Sequence, residues 1–249
     1  VDSKPLEIPK YLYKYRTIDQ NTERFFVHRE IYFAAPSEFN DPFDSKVYIS
    51  FGDTEREIVI AATGAAKGKG LEAIAANICL LLGPERPSLD SDLQFFNELI
   101  NDNFAMFSMS EIYDNILMWS HYAHSHTGIC LKFNNSKLPM HFRKGLVPVS
   151  YTDNYPMFTV ADMGPELCRL FWTKSSHWSY EKEWRIIQDR KGVQKIPMDA
   201  LDGVILGCAI SDENEQKVRS WMKMWRPKPV LYRAVKKQRQ YGLDIIREK

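Results

Sequence analysis

A chain of 249 residues with 44% hydrophobic and 26% charged side chains has enough apolar surface for a sizeable core, which excludes a disordered or fibrous polypeptide. The formal net charge is only +1, so no strong overall field marks a nucleic-acid or membrane partner. The longest apolar run, near residues 78–82, is far short of the ~20 residues of a membrane helix. Residues 1–5 lack the apolar stretch of a signal peptide, so the expectation is a cytoplasmic protein with no membrane span.

In chain order, residues 11–16 alternate with period two and predict a strand. Residues 19–29 predict a short helix, capped by Asp19 or Asn21, with Phe25 and Phe26 inward. A strand over 31–34 stops at Pro36. Residues 39–44 form a turn-rich loop, because Asn and Asp bond their own backbone and Pro42 fixes φ. A strand follows over 46–51. Three helical patterns then cover 55–66, 71–82 and 89–100, broken by Gly64, Gly68, Gly70 and the Gly83-Pro84 step.

Strands over 104–108 and 128–133 flank a helix from 115 to about 124. Further strands are expected over 147–151, 183–188, 204–206, 230–233 and 243–246, with helices over 161–173 and 213–225. Strands and helices do not alternate regularly, which excludes a doubly wound parallel sheet. The glycine fingerprints of dinucleotide and P-loop sites are absent. The expected fold is α+β. It is one domain over 1–249, made of small, mostly antiparallel sheets, with a helical insertion at about 53–103 and a basic C-terminal segment at about 213–249.

Cys79, Cys130, Cys168 and Cys208 are widely spaced among apolar neighbours and read as reduced, buried thiols. The small net charge hides an asymmetry. Residues 1–110 carry 11 basic and 17 acidic side chains, and residues 111–249 carry 22 and 15. No acid lies between Gln216 and Leu243, where Lys223, Arg226, Lys236 and Lys237 are interleaved with Trp221, Trp225 and Tyr232. Such a block suits phosphates and stacked bases, making nucleic acid a candidate partner. Equally, Trp221 and Trp225 at i, i+4 suit the buried side of an amphipathic helix.

Three clusters carry candidate chemistry. In the first, Glu181 and Glu183 lead the strand over 183–188, and an extended segment would turn both carboxylates to one side. Paired carboxylates repel, which drives their pKa values apart and suits acid–base or cation-stabilising work. A strand-edge ion pair with Lys182 and Arg185 is the alternative. The second cluster joins Tyr13 and Arg16 on the first strand to Tyr32 and the Asn40-Asp41 loop. Arg16 either grips an anion there or pins the loop through Asp41 or Asp44. The third is His121, His124 and His126 after Trp119, three imidazoles that could hold zinc although the spacing matches no strong motif.

In sequence order the blocks are Leu12 to Arg16, Ile31 to Asp44, Met118 to Ala123 with His126 to Cys130, and Tyr180 to Ile186. Together they resemble a bacterial domain-of-unknown-function family, number 2971. A looser resemblance joins an arginine on a first aromatic strand, an aromatic second strand and a late Glu-x-Glu, and is similar to ADP-ribosyltransferase-type folds. That resemblance implies NAD as cofactor, with Arg16 on its pyrophosphate and Tyr32 beside the nicotinamide. It also implies Glu183 as the catalytic carboxylate and Glu181 orienting the acceptor. Tyr13, Asn40, Asp41 and Trp119 complete the cofactor-binding candidates, and His121 joins the catalytic ones. No metal is expected at this site. The function implied is transfer of ADP-ribose to a protein or nucleic acid, in a defence or toxicity setting. The alternatives are a non-catalytic nucleic-acid-binding module and a zinc-dependent hydrolase.

Overall fold

The computed structural model describes residues 7–45, 48–50, 104–159, 165–189 and 191–248. The expected helical insertion at 53–103 lies outside the described residues, as do residues 46, 47 and 51 of one expected strand and 161–164 of one expected helix.

The chain opens with β1 (Tyr11–Arg16), α1 (Gln20–His28), β2 (Glu30–Phe33) and β3 (Tyr48–Ser50). It resumes with β4 (Ala105–Ser110), α2 (Ile116–Tyr122), β5 (Ile129–Asn134) and α3 (Met140–Lys144). Four short strands follow: β6 (Leu146–Pro148), β7 (Ser150–Thr152), β8 (Met157–Thr159) and β9 (Thr173–Ser175). The last third holds β10 (Glu183–Gln188), β11 (Gly192–Lys195), β12 (Leu201–Leu206), α4 (Asp212–Met222), β13 (Val230–Lys236) and β14 (Leu243–Arg247). No helix among the described residues is long and apolar enough to cross a membrane.

The α+β class and the mostly antiparallel pairing are present. One sheet is far larger than the small ones expected. Its eight strands run β14-β13-β12-β5-β1-β4-β10-β6, antiparallel throughout except for β12 beside β13. Among the described residues three two-stranded sheets accompany it: β2 with β11, β3 with β8, and β7 with β9. The large sheet joins strands from the two ends of the chain, a non-local pairing that local periodicity cannot report.

Of the two caps read for the first helix, Asp19 is the one that acts. The Asp19 side chain accepts the Thr22 N–H at 2.8 Å to start α1, and Asn115 accepts from Leu117 and Met118 to start α2. The helix expected over 161–173 is instead a 3₁₀ helix over Pro165–Trp172 that hands over to β9. The i, i+3 recurrence of Leu167 and Leu170 serves either helix, so periodicity does not separate them. The strand expected over 147–151 is two strands, β6 on β10 and β7 on β9.

Alternation along β1 sends Leu12 into one core and Tyr13 and Tyr15 into another on the opposite face. Phe25, Phe107, Leu131, Phe133, Trp184 and Ile186 share the side of Leu12, while Trp119, Cys130 and Ile205 share that of the tyrosines. Trp225 stacks on Phe25 with ring centroids 5.3 Å apart and donates from Nε1 to the Phe26 carbonyl at 3.0 Å. Trp221 stacks on Phe26 at 5.5 Å. Trp225 is therefore core, and Trp221, partly buried, packs against it. Cys130 and Cys208 are free thiols.

One irregularity of the sheet positions everything that follows. β1 is paired with β5 at all six of its residues but with β4 at a single position, Tyr13 opposite Ser110. At the far end of β4, Ala34 after β2 exchanges both backbone hydrogen bonds with Met106. Between these two points β1 and β4 part, and the sheet is open in its middle. On the other side of β1, Gly128 packs directly against the Arg16 and Ala123 carbonyls, where any Cβ would collide with backbone. Only glycine fits there.

Candidate functional site

The opening holds a cavity of about 390 Å³, in the range of small-molecule sites. Its walls come from Tyr13, Lys14 and Tyr15 of β1, residues 106–110 of β4, and the segment from Tyr32 to Asp44. Met118, His121 and Tyr122 of α2 close one side, and Lys174, Glu181 and Glu183 form the floor. Because the strands part, residues from both faces of the sheet reach the same space.

The floor is a buried ion network. Lys174 Nζ donates to Glu181 Oε2 at 2.6 Å and to Glu183 Oε2 at 3.0 Å, and lies 3.7 Å from Asp44 Oδ2. Arg185 Nε donates to Glu183 Oε1 at 2.8 Å, and its two terminal nitrogens reach both oxygens of Asp44 at 2.9 and 2.5 Å. The Phe171 carbonyl accepts a further bond from Arg185 Nη1 at 3.0 Å. The loop ending at Asp44 is thus pinned, as one sequence reading had it, but by Arg185 rather than Arg16. A planar guanidinium fork is suited to hold two carboxylates at once.

Glu181 and Glu183 do converge on one place, though not by strand alternation. Glu181 ends a 3₁₀ helix over Ser176–Glu181, Lys182 turns the chain in left-handed backbone (φ 41°), and Glu183 opens β10. Ser110 Oγ holds this turn by donating to the Glu181 carbonyl at 2.5 Å, and the Tyr151 hydroxyl accepts the Glu183 N–H at 2.8 Å. Tyr122 donates from its hydroxyl to Glu181 Oε1 at 2.6 Å.

The two carboxylates are driven apart in pKa, as their pairing predicts. Burial pushes Glu181 up, and the charge of Glu183 pushes it the same way against Lys174. Burial would also raise Glu183, but Arg185 and Lys174 outweigh it and hold that carboxyl well below the usual range. Lys174 is pressed down by burial and lifted more strongly by Glu183, Glu181 and Asp44, so it stays charged. Three carboxylates against two cations leave one surplus negative charge at the cavity floor.

Among the residues singled out from sequence, Glu181, Glu183, His121, Tyr13, Tyr32 and Asn40 line this cavity. Tyr32 is exposed and donates to both oxygens of Glu38 at 2.8 and 3.0 Å. Arg16, Asp41 and Trp119 do not line it. Arg16 shares the Lys14 face of β1 but lies two residues further along, at the end of the strand. Asp41 accepts the Phe43 N–H at 2.9 Å and lines a neighbouring cavity of about 450 Å³, which shares Lys174 with the first. Trp119 is fully buried behind Tyr15 and donates to the Tyr113 carbonyl at 2.8 Å.

The histidines separate. His121 lines the cavity, His126 stacks over Trp119 at 6.3 Å, and His124 sits in left-handed backbone (φ 46°). Among the described residues no group of three or more His, Cys, Asp or Glu side chains is arranged to hold a metal ion. In the basic segment, Arg226 donates to the carbonyls of Lys223 and Trp225, Lys237 lies 3.8 Å from Asp244, and Lys236 is exposed.

Sequence reasoning passed over Lys14, Tyr122 and Lys174. Tyr122 sits inside a recognised block and was findable. Lys174 lies in a Thr-Lys-Ser-Ser stretch with no motif of its own, and only the fold brings it to the carboxylates.

This architecture defines an α+β protein with an acid-floored, tyrosine-walled cleft at a split in its main sheet. Comparison with family models matches residues 118–186 to the family described as "Protein of unknown function (DUF2971)", the family that the sequence blocks resemble. The matched span holds most of α2, Lys174 and the Glu181–Arg185 run. Comparison with curated proteins finds no match, and comparison with solved structures finds none.

Proposed function

We propose that the cleft between β1 and β4 is the active site of an enzyme that transfers ADP-ribose from NAD. The observation that carries this reading is the Glu181/Glu183 pair, gathered on Lys174 beneath tyrosine walls with a surplus negative charge. Breaking the nicotinamide–ribose bond sends the bonding electrons to nicotinamide and builds positive charge on the ribose. A carboxylate held in place before reaction stabilises that charge more in the transition state than in the ground state. Glu183, kept ionised by Arg185 and Lys174, has this role. Glu181, whose pKa is raised, is the better proton acceptor and takes the proton of the attacking nucleophile. The adjoining cavity that shares Lys174 is the place for the acceptor in this reading.

The test uses the purified protein with NAD labelled on the adenylate half, mixed protein and nucleic-acid acceptors, and Glu181→Gln alongside. Label transfer or nicotinamide release by the wild type is expected, falling about 10²–10³-fold in the variant. Absence of both from the folded wild type, whatever the acceptor, overturns the reading.

A further inference from the structure

Lys14, half-buried, has surroundings unlike those of Lys174, the buried lysine of the cavity floor. Lys174 faces three carboxylates, whereas Lys14 has no hydrogen-bond or ion-pair partner among the described residues. Its ammonium lies over the Phe107 ring, 5.1 Å from the centroid. It lines the cavity from the face of β1 opposite the tyrosines, entering through the gap where β1 leaves β4. Two residues on, Arg16 has a buried Nε with no hydrogen-bond partner. A lysine without a carboxylate partner, entering a cavity beside an arginine whose Nε is also unpartnered, forms a half-built site that an anion completes.

We infer that Lys14 is the anion-binding group of the cavity, taking a phosphate of the ligand while the Glu181/Glu183 floor faces the ligand's cationic part. The inference deepens the reading above and rests on it for the choice of a nucleotide. The ligand class is therefore dipolar: a phosphate at the β1 wall and a group that carries or develops positive charge at the floor. Burial, and Arg16 after it, lower the Lys14 ammonium to about 8, against the weaker pull of Glu183 and Glu181, while Lys174 opposes them. The charge that holds the anion is lost as pH rises through that value. Anion affinity should therefore fall by about tenfold between about pH 7 and pH 9, since binding scales with the charged fraction.

Calorimetric titration with ADP, and with adenosine as the uncharged control, tests this on the full chain. Wild type should bind ADP better than adenosine. Lys14→Met should cut ADP affinity about 10- to 100-fold without changing adenosine affinity. Lys14→Arg should keep ADP binding and remove its pH dependence, which also shows that the site tolerates substitution. Equal ADP affinity in wild type and Lys14→Met, or no preference of the wild type for ADP over adenosine, overturns the inference. ADP held through Lys14 by a protein that never cleaves NAD keeps the anion site and ends the transferase reading.

Discussion

Two ion networks in this chain use the same chemistry in opposite surroundings. Under the cavity, Asp44, Lys174, Glu181, Glu183 and Arg185 are all buried, and the Arg185 side chain is 0% exposed. At the far edge of the large sheet, Glu215, Arg219, Arg233 and Glu248 close a ring in which Arg219 bonds both glutamates and so does Arg233. There the Arg219 side chain is 42% exposed. The outer ring is balanced, two acids with two arginines, and water screens it. The inner network is unbalanced and buried. Desolvation costs several kcal/mol per ion, so a surplus buried charge beside a cavity weakens the fold where it sits. Such concentrations of perturbed groups in a cleft are typical of functional sites.

The largest effect that could break this comparison is expected at Arg185. Replacing it with Met leaves Asp44 and Glu183 buried with Lys174 alone, and should cost about 3–5 kcal/mol in denaturant unfolding. A loss below about 1 kcal/mol would mean that the inner network behaves like a surface one.

Acid sharpens the comparison next. The Glu183 carboxyl is held below its ordinary value of 4.5. Its stabilising contribution is therefore complete above about pH 4.5 and is lost as pH falls towards the folded value. Glu181 works the other way. Its raised pKa makes the folded state take up a proton before the unfolded one, which relieves the strain on mild acidification. Unfolding midpoints of Glu181→Gln should equal or exceed those of wild type at neutral pH and show less acid dependence above pH 4.5. A midpoint far below wild type would make Glu181 a purely structural partner of Lys174.

The smallest effect belongs to the outer ring. Arg233→Ala should cost at most about 1 kcal/mol and lose even that in high salt. A larger, salt-insensitive loss would show that the ring is shielded after all.

Much of the local structure was legible. Period-two alternation marked β1, the Asp19 cap marked α1, and the blocks around Met118 and Glu181 marked the segment that the family model matches. The candidate site was half legible. Tyr13, Tyr32, Asn40, His121, Glu181 and Glu183 were named from sequence and meet in one cavity. Arg16 was named with them and does not line the cavity: it shares the Lys14 face of β1 but lies two residues further along the strand, at its end.

The sequence by itself determined the α+β class and the local caps and turns. These depend on neighbours within a few residues, where spacing and backbone chemistry suffice. Only the tertiary structure decided that β1 and β4 part and that Lys174 gathers Glu181 and Glu183. It alone set Arg185 reaching back to Asp44 and Lys14 entering the cleft. Those contacts join strands and loops that are far apart in the chain, and long-range pairing, register and burial set them rather than any local pattern.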